Sequence, residues 1–372
     1  MTEYLATFSI SLAIIAIIQN WPKRSIGFIF WSIVAILIPC LLAALRANTI
    51  GTDVSGYSEP MSQLALQSSS FEQYQGMTWH RVWRYSRPSD FEIGYSLMVW
   101  FVSRTFGGVI GVHFVTQLLT IVPIYIGLAQ LRDKMSSCLG MLLYYFIYYN
   151  TSLNIMRQWI AIGWLLLGIS FLLRGKKKPY FIMIAIAFLF HTTAILGIAL
   201  YVLQRLFAGK KGKSRTKLLV IGITGIGILI LIRPITMLMS RMGLSYYAAY
   251  LGSVSFLPRQ FLLRLPVLLL LIWWWKRAES DKNWAAALIA LFILDMLVSQ
   301  FASANEQSGR IAYYFGSSLI YGVPLAIRKV RGQIPRLSAS SCVTLYAILY
   351  WIYVYVITGA TQTVPYLFIK GL

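Results

Sequence analysis

Apolar runs of roughly 20 residues recur along this chain between short polar breaks, each long enough to cross about 30 Å of hydrocarbon as a helix. The pattern predicts an all-α, polytopic membrane helix bundle. Residues 1–372 would form a single integral membrane domain of about 11–13 transmembrane segments, some of them short and broken. Residues 4–19 and 26–45 read as a hairpin around Trp21-Pro22-Lys23-Arg24, followed by a long polar loop, 46–91. Segments 136–150 and 151–173 pair across a turn, as do 217–232 with 260–275 and 284–303 with 309–327; the last helix is 338–357.

Composition supports the pattern. Of 372 residues, 58% are hydrophobic and 12% charged, and mean hydropathy is +0.68. A soluble chain of this length cannot hide so much apolar surface. The net charge of +22 would indicate nucleic acid in a soluble protein. In a membrane protein, topology places basic residues first, so no nucleic-acid partner is expected. Cys40, Cys138 and Cys342 lie unpaired in apolar segments, and His80, His113 and His191 are scattered. Neither a disulfide framework nor a metal site follows, and no cofactor is expected. The first segment, Tyr4 to Ile18, lacks the basic flank of a cleavable signal peptide.

Orientation comes from lysine. Twelve of the thirteen lysines cluster in short breaks: Lys23, Lys134, Lys176 to Lys178, Lys210, Lys211, Lys213, Lys217, Lys276, Lys282 and Lys329; Lys370 lies apart. If these breaks are cytoplasmic, loop 46–91 and the C-terminus are extracytoplasmic. Residues 92–130 then cross an odd number of times, read as one span at 108–130 with 92–105 lying in the interface or re-entering. Residues 180–207 have lysine on both flanks and cross an even number of times, which predicts two short helices breaking near Phe190-His191-Thr192-Thr193. Broken helices at membrane depth are tolerated where backbone lines a cavity or is buried in protein.

Arginine distributes differently. Arg46, Arg81, Arg84, Arg87, Arg157, Arg233, Arg241, Arg259, Arg264 and Arg310 fall at or near the predicted outer ends, with almost no lysine beside them. A planar guanidinium suits bidentate binding of phosphate, so a phosphorylated lipid headgroup at the outer leaflet fits, although single arginines also snorkel to membrane lipid. Asn150-Thr151-Ser152-Leu153-Asn154 offers capping residues before a helix starting near Ile155. Arg157 and Gln158 would occupy its first turn, where a cation opposes the helix dipole unless an anion sits between them. Pro258-Arg259-Gln260 opens a second such helix. Asp295, Arg264 and Arg310 are functional candidates because charge near the bilayer core is expensive; pairing of Asp295 with an arginine is the plain alternative. For His191 it is a turn histidine bonded to Thr192 or Thr193.

The loop 46–91 carries four basic and four acidic residues. Trp79, Trp83, Tyr74 and Tyr85 suit either sugar stacking or an interfacial aromatic belt. Five short segments occur in order: Arg46…Gly51-Thr52-Asp53…Tyr57; Glu92-Ile93-Gly94-Tyr95; Asn154-Ile155-Met156-Arg157-Gln158-Trp159-Ile160-Ala161; Phe190-His191-Thr192-Thr193-Ala194; and Gly309-Arg310-Ile311-Ala312-Tyr313-Tyr314. In this order they resemble the EpsG family, Wzy-like polymerases of bacterial exopolysaccharide, capsule and O-antigen. The resemblance implies a membrane-embedded glycosyltransferase-like fold in the bacterial cytoplasmic membrane. Its implied reaction moves a growing glycan from undecaprenyl diphosphate to a lipid-linked repeat without a metal, on the extracytoplasmic side, alongside a chain-length regulator and other assembly proteins.

Within that expectation Arg46, Arg157, Gln158, Arg259 and Arg310 bind the diphosphate, and Asp53, Glu92 or His191 is the general base. Direct displacement would invert the anomeric centre. A flippase for lipid-linked sugars would need sites open to both leaflets, and a polysaccharide O-acyltransferase would rest on His191.

Overall fold

The structure, a computed structural model, describes residues 1–81, 84–207, 214–242, 255–278, 282–303 and 309–369. Trp83, Lys210, Lys211, Lys213, Lys370 and the side chains of Arg81, Arg84 and Arg233 lie outside the described residues. The described residues are mostly helical, and among them strand structure is confined to one short hairpin and an isolated bridge. Among the described residues five helices are long and apolar enough to cross a membrane: Ile26–Ala44, Val109–Gln130, Met156–Leu173, Lys282–Ser303 and Gln333–Ile357. Two shorter apolar helical stretches, Thr2–Ile18 and Thr192–Phe207, accompany them. Two compact units result, one from Met1–Ile195 with Gln333–Leu372, the other from Leu196–Gly332.

In the first unit α1 (Thr2–Ile18) and α2 (Ile26–Ala44) form the expected hairpin. Ser25 Oγ accepts the Phe28 amide at 3.2 Å and caps α2. The loop beyond α2 folds into α3 (Glu59–Gln67), α4 (Phe71–Gly76) and the hairpin β1 (Trp79–Arg81)–β2 (Arg84–Ser86). α5 (Ile93–Thr105) has 13 residues, about 20 Å, too short to cross alone. Gly107 and Gly108, at φ +82° and +66°, turn the chain into the 22-residue α6 (Val109–Gln130).

α7 (Ser137–Leu143) continues through π-helical Tyr144–Tyr149 into α8 (Asn150–Asn154), and a kink at Ile155 leads into α9 (Met156–Leu173). α9 packs between α6 and α10 (Lys177–Phe188), and is the most buried of the five long helices. Side-chain hydrogen bonds tie the helices: Ser11 donates to the Ala35 carbonyl at 2.7 Å and meets Tyr145 at 2.8 Å, and Ser32 meets Tyr125 at 2.7 Å.

The first unit separates its charges. At one end Lys23 pairs with Asp133 at 3.1 Å, and Arg174 donates to Gln130 at 2.9 Å. These residues belong to the breaks after α1, α6 and α9. At the opposite ends of α2, α6 and α9 lie Arg46, the loop and Arg157. Within the first unit, the breaks that hold Lys23 and Lys134 therefore lie at the end opposite Arg46 and Arg157.

The break inside 180–207 is present. α10 stops at Phe188, a single 3-10 turn covers Thr192–Ile195, and α11 (Leu196–Phe207) starts the second unit. That unit continues with α12 (Ser214–Arg241), α13 (Pro258–Arg277), α14 (Lys282–Val298), α15 (Ala312–Gly316) and α16 (Leu319–Arg328). α14 is its hub, packed by α11, α12, α13, α15 and α16. The chain then returns to the first unit as α17 (Gln333–Trp351), which runs on through π-helical Ile352–Ile357.

Candidate active site

Four of the five sequence motifs belong to the first unit, and there they converge. Gly51 adopts φ +90°, and a Cβ on it would lie 2.8 Å from the Leu153 carbonyl oxygen, so the backbone of the outer loop rests directly on α8. Thr52 then donates both its amide and its hydroxyl to Asn154 Oδ1, each at 2.7 Å. Asp53 follows, half-buried, and accepts the Tyr57 hydroxyl at 2.6 Å across the π-helical turn Val54–Ser58. Irregular turns of this kind recur at functional sites. Burial, and after it the Asp53 carboxylate, holds the Tyr57 hydroxyl well above the ordinary phenol range. Tyr57 therefore stays a donor and fixes the orientation of Asp53.

Glu92 joins the next two motifs. One oxygen forms an ion pair with Arg157 Nη1, and the other accepts the Thr192 amide at 3.1 Å. Two residues on, the Gly94 amide donates to the Leu189 carbonyl at 2.9 Å. A Cβ on Gly94 would sit 2.6 Å from that oxygen, a clash with backbone that no rotamer relieves. Gly94→Ala is expected to push α5 off the helix break and lower stability by about 1–3 kcal/mol, read as a lower melting temperature of the purified protein in detergent.

Arg157 is the centre of the arrangement. Its guanidinium lies 5.0 Å from the Tyr57 ring centroid and 4.7 Å from that of Phe91, stacking that suits a planar cation. Phe91 is backed by Trp79, with centroids 5.7 Å apart and planes at 27°. The Arg157 side chain keeps 23% of its surface exposed and Glu92 keeps 12%, so the pair is sheltered yet reachable. His191 stands at the break, where its Nδ1 is 2.6 Å from the Thr193 hydroxyl and accepts the Thr193 amide at 3.3 Å. An accepting Nδ1 places the proton of the neutral ring on Nε2.

Arg46 sits behind this cluster. It is 1% exposed, its Nη2 lies 3.2 Å from Met156 Sδ, and its Nε has no hydrogen-bond partner among the described residues. No carboxylate among the described residues pairs with it. Its electrostatic neighbours are the hydroxyls of Tyr149, Tyr4, Tyr366 and Tyr95, and burial pulls its pKa down. Tyr95, whose ring packs edge-on to Tyr57 at 5.6 Å between centroids, lies within electrostatic reach of Arg157, Asp53 and Arg46. His113 on α6 is also buried within reach of Arg46, with Nε2 unpartnered among the described residues. Reading the sequence missed His113, because an isolated histidine in an apolar run carries no local signal.

Several expectations need correction. Asn150 to Asn154 do not cap the helix of Arg157; they are helical themselves, and Ile155 takes the capping position without a side-chain bond. The reason is tertiary. Asn150 bonds Thr363 at 2.9 Å and Trp351 at 2.7 Å, Thr151 bonds Tyr355 at 2.7 Å, and Ser152 meets Tyr144 at 3.0 Å. The anion expected at the start of α9 is supplied by the chain itself, as Glu92. Gln158, one residue past Arg157, is buried in α9. Tyr74 is fully buried and so is no part of an interfacial belt; Trp79 is half-buried against Phe91, and Tyr85 is 72% exposed.

The remaining charged candidates belong to the second unit. Arg259 is exposed at the start of α13, where Pro258 takes the first helical position as expected. Arg310 is half-buried just ahead of α15. Asp295 accepts from Arg264 Nε at 2.6 Å and Nη2 at 3.4 Å, and Arg264 Nη1 also reaches Gln260 Oε1 at 2.6 Å. Gly316 packs against the Asp295 carboxylate, at 2.7 Å from a Cβ placed on the glycine. Asp295 and Arg264 thus hold α13 to α14. Arg264→Ala is expected to lower stability by about 3–5 kcal/mol, because it leaves a buried carboxylate unpaired, and adding Asp295→Ala should restore part of the loss. Melting temperatures of the two single variants and the double variant check this.

Fold and site together define a multi-pass helical membrane protein whose polar centre is built around arginine. A family model, the EpsG family, matches residues 28–368, nearly the whole length, and the chain belongs to that family. Membership implies an exopolysaccharide polymerase-like function of the glycosyltransferase type. No curated protein and no solved structure matches the chain.

Proposed function

We propose that the protein extends a polysaccharide at the outer face of the bacterial cytoplasmic membrane, transferring a growing glycan from undecaprenyl diphosphate to a lipid-linked repeat. The observation that carries this reading is the convergence of Asp53, Glu92, Arg157 and the 189–195 helix break in one sheltered cluster. Glycosyl transfer needs a cation for the departing diphosphate and a base for the acceptor hydroxyl, and the cluster contains both kinds of group.

In this reading Asp53 is the base. Glu92 is committed to Arg157 and the Thr192 amide, and His191 accepts at Nδ1, so its neutral ring presents a donor. The acceptor oxygen attacks the anomeric carbon while its proton passes to Asp53, and the bond to the diphosphate oxygen breaks with its electron pair leaving on the diphosphate. Arg157, preorganised by two aromatic faces and Glu92, stabilises that charge, and Arg46 behind it adds positive potential in a low-dielectric interior. The anomeric centre inverts, and no metal is used. A chain-length regulator and other assembly proteins are the expected partners.

Deleting the protein from cells that make the polymer tests the reading through the lipid-linked pool. Single repeats accumulating on the outer face, with no polymer, are the expected result. Repeats trapped on the inner face would mean a flippase, and full-length but unmodified polymer an acyltransferase; either outcome overturns the proposal.

A further inference from the structure

The segment after the last helix does more than end the chain. Past Ile357 the backbone turns back and lies along the residues that open the outer loop. The Ala47 amide donates to the Leu367 carbonyl at 2.7 Å and the Ile369 amide to the Leu45 carbonyl at 2.9 Å, so Arg46 and Phe368 face each other as an antiparallel bridge. Side chains add to it. The Tyr366 hydroxyl donates to the Leu42 carbonyl at 2.6 Å, the Thr363 carbonyl accepts from Tyr4 at 2.7 Å, and the Thr363 hydroxyl accepts from Asn150 at 2.9 Å. This short strand therefore pins α1, the end of α2 and the start of α8 at the point where Arg46 is buried.

We propose that residues 359–369 are a positioning strap for Arg46, and that glycan transfer depends on it. No carboxylate among the described residues pairs with Arg46, so its buried guanidinium is held by the backbone on either side of it and by the walls around it. The two flanking backbone bonds come from the strap, and so does one wall, Tyr366, whose hydroxyl is among the groups that act electrostatically on Arg46. With the strap released, Leu45 and Ala47 lose their sheet partners, and the cation is free to turn toward water and away from Met156 and α9. Pairing with an added extended segment is a general mode of peptide recognition, so the same contacts should be available to a strand supplied from outside. The proposal rests on the transfer reaction proposed above.

The test compares purified wild type, Ile369→Pro, Ile369→Ala and a chain ending at Thr358, each assayed for elongation of a defined lipid-linked repeat and for melting temperature. Ile369→Pro removes the amide that bonds Leu45, whereas Ile369→Ala keeps it. The expected result is at least a tenfold fall in kcat/KM for Ile369→Pro, wild-type behaviour within about twofold for Ile369→Ala, and a larger loss on truncation. A synthetic peptide of residues 359–372 should restore activity to the truncated protein, and a scrambled peptide should not. Equal kcat/KM in wild type, Ile369→Pro and the truncated chain would overturn the strap. So would losses that follow melting temperature alone and resist the peptide. Wild type that makes no polymer would instead sink the transfer reading.

Discussion

Arg46→Met abolishes polymer synthesis and leaves the protein as stable as wild type or more so; that is the expected outcome for a charge kept for function. Arg46 is 1% exposed, and no carboxylate among the described residues offsets it. Replacing buried ionic groups with apolar residues of similar volume is often neutral or stabilising, by up to about 4 kcal/mol. Methionine is flexible enough to fill the space among Tyr4, Tyr149 and Met156. Activity should move the other way, because removing a preorganised cation near developing negative charge typically costs about 10²–10³ in rate. Arg46→Lys keeps the charge and should keep part of the rate. A melting curve and an elongation assay on the same two preparations separate these effects. Instability of Arg46→Met with retained specific activity would make Arg46 a structural residue.

The second large effect concerns the Arg157–Glu92 pair. Breaking a sheltered pair by removing one partner is expected to destabilise by about 3–5 kcal/mol. Glu92→Ala should do so twice over in structural terms, since it also frees the Thr192 amide at the helix break. Arg157→Ala should be similar, and the double variant should recover part of the loss in a double-mutant cycle. None of the three should make polymer. Arg157→Lys is the informative variant: it retains a charge for Glu92 but loses the planar stacking on Tyr57 and Phe91 and the forked donors. It should remain folded and inserted, with a transfer rate lower by about 10² or more. If Arg157→Lys is unfolded, the pair is chiefly a strut.

What could be read from the chain, and what could not, follows from the range of the forces involved. Local patterns travel well. The hairpin around Lys23, the short α5 before a full span, and the break between Phe188 and Leu196 all follow from lengths of apolar run and positions of charge. The 150–154 segment failed because asparagine, serine and threonine favour caps only when no tertiary partner competes. Here Thr363, Trp351, Tyr355 and Tyr144 compete, from as far away as the C-terminal segment.

The site motifs themselves were legible as residues but not as a constellation. Glu92 and Arg157 lie 65 positions apart, and nothing in either local sequence says that the anion needed at the start of α9 is Glu92. Arg46 was also recognisable, as an arginine at a loop boundary. Its complete burial was not, because the tyrosines that enclose it come from α1, α5, the end of α7's π-helical extension and the C-terminal strap.

The most direct measurement is elongation of a defined undecaprenyl-diphosphate-linked repeat by the purified protein, resolved as a ladder of products, with Arg157→Lys run beside wild type at equal folded concentration. A ladder from wild type and only unextended repeat from the variant is the predicted result. Equal ladders would contradict it, since the cluster around Arg157 would then have no part in the transfer.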